Sequence, residues 1–429
     1  MSRCVRHRAT WTALALLAAT APARAQDPVT PPPPPASEPP AAGAPAPPES
    51  KPAPPAPPVI DYTVRFDLAT YEASLGGIAA AYPDLLRVRS LGKSRGGRDI
   101  WLAVAADDSA GDAGHRPAAL VVTDLAYLPK SRAPGPEAAL FALATLLERA
   151  RAETSVRERL QRTALYFLPA PDPDAAFAAA ESDAAAPVRR CRLDRNFPAG
   201  WQPYDAESEA SGPYPLSEPE SRLLAHFLLE RLNLSIVLAF DGTTEPAAPP
   251  RADDARPPGS FEAFCRDVLD TTVLHPAPWN GAARTSAAGS APEGFFTAAA
   301  LAERTLDELP RIECGAPKLE RLRPNVWLVD LPLANTGVQP TRGRAARTGE
   351  SGEVQLRATG GLVVACAMEH GGGTYDAVRA ARDAWPLGHL DGRAKATVRL
   401  VVQADEGTPL EVSFDSPRSG RARVSLVLR

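Results

Sequence analysis

The sequence predicts an α/β fold, a mixed sheet flanked by helices, followed by a small β-sandwich. Three observations carry this expectation. Ala118–Thr123 and Ile236–Phe240 are short and almost wholly apolar, as strands in the middle of a covered parallel sheet are. Segments with apolar residues at helical spacing alternate with such runs. From about Lys318 the pattern changes to short strands, several alternating apolar and polar side chains, with turn residues between them.

In chain order, the first feature is a leader. Arg3, Arg6 and Arg8 precede the apolar run Trp11–Thr20, and Ala23-Arg24-Ala25 supplies an A-x-A cleavage signal. The mature chain is expected to start near Gln26. The run is too short to span a bilayer, and no other stretch is apolar enough. The expectation is an exported protein of the periplasm, cell envelope or exterior. Pro28–Pro58 is about half proline, which suits an extended spacer reaching roughly 90 Å. It reads as a stalk or as a disordered tail. The 429 residues allow two domains, and a net charge of −4 predicts no nucleic-acid partner. Cys191, Cys265, Cys314 and Cys366 remain after the leader. None forms a C-x-x-C pair, and three disulfide pairings stay open beside buried thiols.

The folded part starts near Tyr62. Leu68–Tyr82 reads as a helix, with Tyr71, Leu75, Ile78 and Ala79 on one face. Strands follow at Leu85–Leu91 and Asp99–Ala105, joined by a turn over Gly92–Gly97. After the Ala118–Thr123 strand a long helix opens at Pro134, with Leu140, Leu143 and Leu147 facing one way. Thr163–Leu168 is the next strand. Ser217 is placed as an N-cap, Glu220 completes a capping box, and Pro219 fits the first turn. The helix they open buries Leu223, Leu224, Phe227, Leu228 and Leu232. The strand after it ends at Asp241-Gly242, the carboxyl edge where open α/β sheets place their sites. Gly259–Asp267 starts a helix, Thr271–Leu274 is a short strand, and the later strands are Val326–Leu331, Glu353–Leu356, Leu362–Met368, Ala396–Gln403, Leu410–Phe414 and Arg421–Leu428.

Two strings are specific. Arg192-Leu-Asp-Arg-Asn-Phe-Pro198 and Ser217-Glu-Pro-Glu220, with Gly212-Pro-Tyr-Pro215 between them, resemble the D-L-N-R-N-F-P and S-E-P-E motifs of the zinc carboxypeptidases, peptidase family M14. Tyr82-Pro-Asp-Leu85 and Gly92-Lys-Ser-Arg-Gly-Gly-Arg-Asp-Ile100 are similar to the family's entry hairpin. Trp327 and Asn335–Thr341 are similar to the accessory β domain of many bacterial members. The resemblance implies a carboxypeptidase-like sheet and the organisation 1–25 leader, 26–60 spacer, 61–317 M14-like domain and 318–429 accessory β-sandwich.

It also implies roles. In the family an upstream Arg polarises the scissile carbonyl and Asn-Arg grips the substrate's terminal carboxylate. Arg195 matches the gripping Arg, Asp194 replaces the Asn, and Arg190 or Arg189 takes the upstream position. Asp194 would repel a carboxylate unless it is neutralised. A salt bridge from Arg195 to Asp194 or Glu220 is the alternative role. Asp172-Pro173-Asp174 stands where the family has Asn-Pro-Asp. Glu313, in Leu309–Lys318, is similar to the family's catalytic base, and an ordinary strand-end Glu is the other reading. The family's zinc is held by H-x-x-E and a later His. Here Asp124–Ala133 contains no His and no Glu, Gly135-Pro-Glu137 matches the G-x-E that follows, and Asp241 replaces the later His. No metal ligands are expected and no cofactor. A metal site rebuilt from His275 and the Asp124 loop remains conceivable.

Zinc hydrolysis needs three protein ligands and an open position for water. The chain is therefore expected to be a non-catalytic binder of peptides or their C-terminal carboxylates, with peptidoglycan stem peptides among the ligands considered. The alternatives are an active carboxypeptidase with relocated ligands and a structural envelope protein. No G-x-S-x-G elbow, Walker A loop or dinucleotide fingerprint offers another chemistry.

Overall fold

The computed structural model describes residues 54–125, 135–181, 191–202, 211–240, 259–274, 291–342, 353–370, 379–380 and 384–429. The leader, most of the spacer, Arg189, Arg190, Asp241 and His275 lie outside these residues, as does most of the loop after Asp124. No helix among the described residues is long and apolar enough to cross a membrane.

The chain opens with α1 (Leu68–Ala81), the hairpin β1 (Leu86–Lys93) and β2 (Asp99–Ala105), and β3 (Ala118–Thr123). Then come α2 (Gly135–Ala152), α3 (Thr154–Arg162), β4 (Ala164–Leu168), α4 (Pro173–Glu181), α5 (Pro219–Glu230), β5 (Leu234–Phe240), α6 (Phe261–Asp267), β6 (Thr272–Leu274) and α7 (Glu293–Glu308). The six strands form one sheet in the order β1-β2-β4-β3-β5-β6. β1, β2 and β4 pair antiparallel, whereas β4, β3, β5 and β6 run parallel. The expectation of an α/β carboxypeptidase-like mixed sheet holds.

Alternation within the buried strands divides the core in two. Val121, Phe167 and Leu238 point to the face covered by α1, α2, α3 and α7. Leu120, Tyr166 and Val237 point to the other, where α5 and α6 bring Phe227, Phe261 and Phe264. Both faces are apolar, which is why β3 and β5 read as almost wholly apolar runs.

The remaining strands are β7 (Ile312–Cys314), β8 (Lys318–Arg323), β9 (Val326–Asn335), β10 (Gln355–Thr359), β11 (Leu362–His370), β12 (Arg379–Ala380), β13 (Trp385–Pro386), β14 (Lys395–Gln403), β15 (Pro409–Ser416) and β16 (Gly420–Val427). They make two antiparallel sheets, β13-β10-β15-β16 and β12-β11-β14-β9-β7, with β8 also on β9. One core lies between them, including Trp327, Leu356, Val398 and Phe414. β9 shows strict alternation of buried and half-buried residues, as a one-sided strand must.

Two local expectations are corrected. Ser217 is not the N-cap of α5. Glu218 holds that position without a side-chain bond, and the Ser217 hydroxyl instead accepts from Asn196 at 3.0 Å. Leu232 does not join the buried face of α5: it follows the helix and is 55% exposed.

Candidate carboxylate-binding site

The parallel strands end level with one another. Val122 pairs with Leu168, and Thr123 with Phe240. This edge launches three segments that carry the polar residues singled out above.

The first is Asp124, directly after β3. Its amide donates to the Phe240 carbonyl (2.9 Å), and its φ is +48°. Its carboxylate sits against Gly135 so closely that any side chain there would overlap it. The second segment follows β4. Asp172 accepts from Ala175 N at 3.1 Å and so caps α4. Asn and Asp cap equally well, so Asp172 keeps this role where the motif has Asn.

Asp174, Glu218 and Glu220 then grip the turn of the β1–β2 hairpin. Asp174 accepts from Gly96 N (2.7 Å) and Ser94 Oγ (3.0 Å), and lies 3.6 Å from Arg98 Nε. Glu220 accepts from Arg95 N (3.0 Å), and Glu218 binds Arg95 Nη2 (2.7 Å). Glu220 therefore does not close a capping box on its own helix. Gly96 lets the turn approach, because a side chain there would run into the Asp174 carboxylate. The entry hairpin and the S-E-P-E string are thus two halves of one contact.

The third segment is the loop at Arg192–Pro198. Arg192 takes both oxygens of Asp194, at 3.0 and 2.7 Å. Arg195 also touches Asp194, through Nε at 3.4 Å. No bond from Arg195 to Glu220 forms. The trio Arg192, Asp194 and Arg195 therefore keeps a net positive charge. Arg195 is partly buried, and that Nε contact is its guanidinium's one polar contact among the described residues. Asn196 is fully buried and locks the loop to α5. Its Nδ2 donates to Ser211 O (2.7 Å), Ser217 Oγ (3.0 Å) and Tyr214 O (3.1 Å), and its Oδ1 accepts from Ser221 Oγ (2.6 Å) and Glu218 N (3.1 Å). Phe197 anchors the far side between the rings of Phe261 and Phe264.

Glu313 stands elsewhere. It lies on β7, which pairs with β9 of the C-terminal sheet, and it forms an exposed ion pair with Arg311 (2.9 Å). The chain has already left the first sheet through α7 at that point.

Among the described residues, the group of side chains spaced to hold a metal ion is Asp172, Asp174 and Glu220. It offers oxygen donors alone, which suit magnesium or calcium better than zinc. Both oxygens of Asp174 and one oxygen each of Asp172 and Glu220 accept from donors of the hairpin and α4. Glu137, in the first turn of α2, is buried and turned to Phe66 N at 2.7 Å. Burial pushes its carboxyl up, against the opposing pull of that amide. None of these sets resembles the imidazole-containing set that zinc hydrolases use.

Comparison with known proteins agrees with the motif resemblance over part of the chain. Residues 71–270 match the family described as zinc carboxypeptidase, peptidase M14. This segment is similar to that family. Residues 311–427 match a domain of unknown function, DUF8731. Carboxypeptidase D of Drosophila melanogaster is 30% identical over 132 residues, covering 30% of this chain and 9% of that protein. The chain thus matches under a tenth of the length of that relative. Among solved structures, carboxypeptidase A from Helicoverpa armigera aligns over 57% of this chain and 75% of its own, at 15% identity and a TM-score of 0.43. A metallo-carboxypeptidase from Burkholderia cenocepacia aligns over 56% and 69%, at 16% identity and a TM-score of 0.38.

Several residues that build this candidate site are not singled out by the sequence. Arg192 was quoted as part of the motif, yet its pairing with Asp194 has no signature beyond the i, i+2 spacing. Asn196 was visible only as a motif letter. Arg95 and Arg98 belonged to a turn pattern whose acidic partners lie more than seventy residues away.

Proposed function

We propose that the M14-like domain binds peptides by their C-terminal carboxylate and does not hydrolyse them. One observation carries this. Arg192 satisfies both oxygens of Asp194, so the negative charge that stands beside Arg195 is answered from the other side. The outer nitrogens of Arg195 are then left for a second carboxylate, in the paired geometry guanidinium favours. The family resemblance supports a peptide as the ligand, and the leader-like N-terminus supports an exported setting, where peptidoglycan stem peptides are among the candidates.

The non-catalytic half rests on the donor set. The loop Asp124–Ala133 has neither His nor Glu, position 241 is Asp, and the carboxylate cluster among the described residues is committed to the hairpin. Zinc does not fit these residues, and Glu313 lies on the C-terminal sheet. An active carboxypeptidase with a relocated metal is the second reading, favoured by the family match alone.

The test is calorimetric titration of one peptide with a free and with an amidated C-terminus. The free acid is expected to bind at least about tenfold tighter, a difference of about 1.4 kcal/mol. Arg195→Gln should erase the preference. Arg192→Gln should weaken it by leaving Asp194 exposed to the ligand, and adding Asp194→Asn should restore it. Equal binding of acid and amide by the wild type would sink the proposal.

A further inference from the structure

The loop that carries Arg195 is held on its far side by α6, and α6 is held in turn by the C-terminal β domain. Phe197, two residues after Arg195, packs against the Phe261 and Phe264 rings at 5.1 and 5.3 Å between centres. Its amide donates to Gly259 O (2.9 Å), and Gly259 N donates to Ala199 O (3.0 Å). Gly259 lies directly against the Arg195 backbone, since a side chain there would overlap the Arg195 carbonyl. The start of α6 and the Arg195 loop are therefore one packed unit.

α6 is a helix of seven residues. Helices this short are not stable by themselves in water, so its ends must be tied. At its start the Ser260 hydroxyl accepts from Ala263 N at 3.1 Å. Past its end the chain closes back through Val268 N to Phe264 O (3.0 Å) and Thr271 N to Cys265 O (2.9 Å). Asp270 there takes a φ of +58°, which residues other than glycine adopt at a cost. Arg418, from the turn between β15 and β16, holds this end. Its guanidinium donates to the carbonyls of Leu269 and Asp270, both at 2.6 Å, and to the Thr271 hydroxyl at 3.2 Å. It is buried, at 7% exposure. The flat fork of arginine reaches two successive carbonyls at once, which the point charge of lysine does not reproduce. A second contact from the same domain meets the next residue, where Thr272 Oγ1 donates to Gln339 Oε1 at 3.0 Å.

We propose that Arg418 is a positioning residue for the Arg195 site, so that the C-terminal β domain sets the loop that grips the ligand's carboxylate. The inference rests on the reading of Arg195 given above, and it gives residues 311–427 a part in that site. The path runs from Arg418 through the end of α6 to Phe264, Phe197 and Arg195.

The test joins two measurements on the full chain: titration with the free-acid and the amidated peptide, and hydrogen exchange read by mass spectrometry. Arg418→Ala, folded by far-UV circular dichroism, should lower the acid-over-amide ratio by about threefold or more. Exchange over 192–202 and 259–274 should quicken about tenfold, while the β1–β2 hairpin keeps its wild-type rate. Val398→Ala, which thins the β-sandwich core, is the destabilised control and should keep both the ratio and the slow exchange of 192–202. Should Arg418→Ala fail to fold, Arg418→Lys is read in the same way. A smaller change in the ratio, or unchanged exchange over 192–202, overturns the proposal. So does an equal loss of the ratio in Val398→Ala, which would make the effect a general loss of stability. Equal binding of acid and amide by the wild type is a different result: it removes the carboxylate reading, and exchange over 192–202 then decides alone whether Arg418 holds the loop.

Discussion

Asn196→Ala is expected to be among the most damaging single changes in the M14-like domain. The side chain is fully buried and makes five polar contacts to four different stretches of backbone and side chain. An amide nitrogen has two hydrogens, so at most two of its three donor contacts are full bonds at once. Truncation leaves the Ser211 carbonyl and the Glu218 amide, at the start of α5, without these partners. Each such buried group costs about 1–3 kcal/mol. The sum, with a small cavity, is about 3–5 kcal/mol. For a domain of this size that lowers the melting temperature by roughly 6–20 °C, at about 2–4 °C per kcal/mol. The assay is urea unfolding followed by far-UV circular dichroism, with thermal melts alongside. Arg195→Ala is the control: its one ion pair is partly solvated, so its cost should stay below about 1 kcal/mol. A loss under about 1 kcal/mol for Asn196→Ala would refute the view that this residue holds the Arg192–Pro198 loop on α5.

Two further outcomes follow from buried charge. Burial raises the Glu137 carboxyl above its ordinary value of 4.5, so the folded state holds its proton more tightly than the unfolded state. Above pH 4.5 the unfolded chain releases that proton first, and this group's contribution to stability falls as pH rises from there. Glu137→Gln should remove that decline, read as urea midpoints at pH 4 and pH 7 for both proteins; an unchanged slope would contradict it. Arg418, on the turn between β15 and β16, reaches back to the carbonyls of Leu269 and Asp270 and the Thr271 hydroxyl. Arg418→Ala should cost about 2–4 kcal/mol by stranding these acceptors, and a melt within 2 °C of wild type, on the order of 1 kcal/mol or less, would show that the turn is not needed there.

Much of the architecture was legible because burial on two faces leaves a strong mark. β3 and β5 sit between helices on both sides, and their strings contain almost nothing polar. β9 and β14 have one buried face, and alternation gave them away. Helix ends were harder. Ser217 looked like a cap because Ser, Pro and Glu stood at the right spacing, yet Asn196 competes for its hydroxyl across twenty-one residues of chain. Glu220 is drawn off by Arg95 in the same manner, from 125 residues away. Local spacing cannot register a partner that arrives from another strand. The motif strings fall on loops at the carboxyl edge of the first sheet and in contact with its hairpin, and the resemblance to zinc carboxypeptidases follows from them. They did not tell that Asp174, Glu218 and Glu220 are spent on the hairpin turn, nor that Arg192 screens Asp194. Glu313 matched a short string, and its placement on the C-terminal sheet depends on a β7–β9 pairing that no nearby residue announces.

The central claim is that this M14-like domain binds without a hydrolytic metal. The most direct measurement is elemental analysis of zinc in the full chain, produced by export and purified without chelators. Zinc far below one per chain in a folded, monodisperse sample, with no residue released from peptides, is the expected result. Near-stoichiometric zinc that vanishes in Asp241→Ala would contradict the account and restore the hydrolase reading.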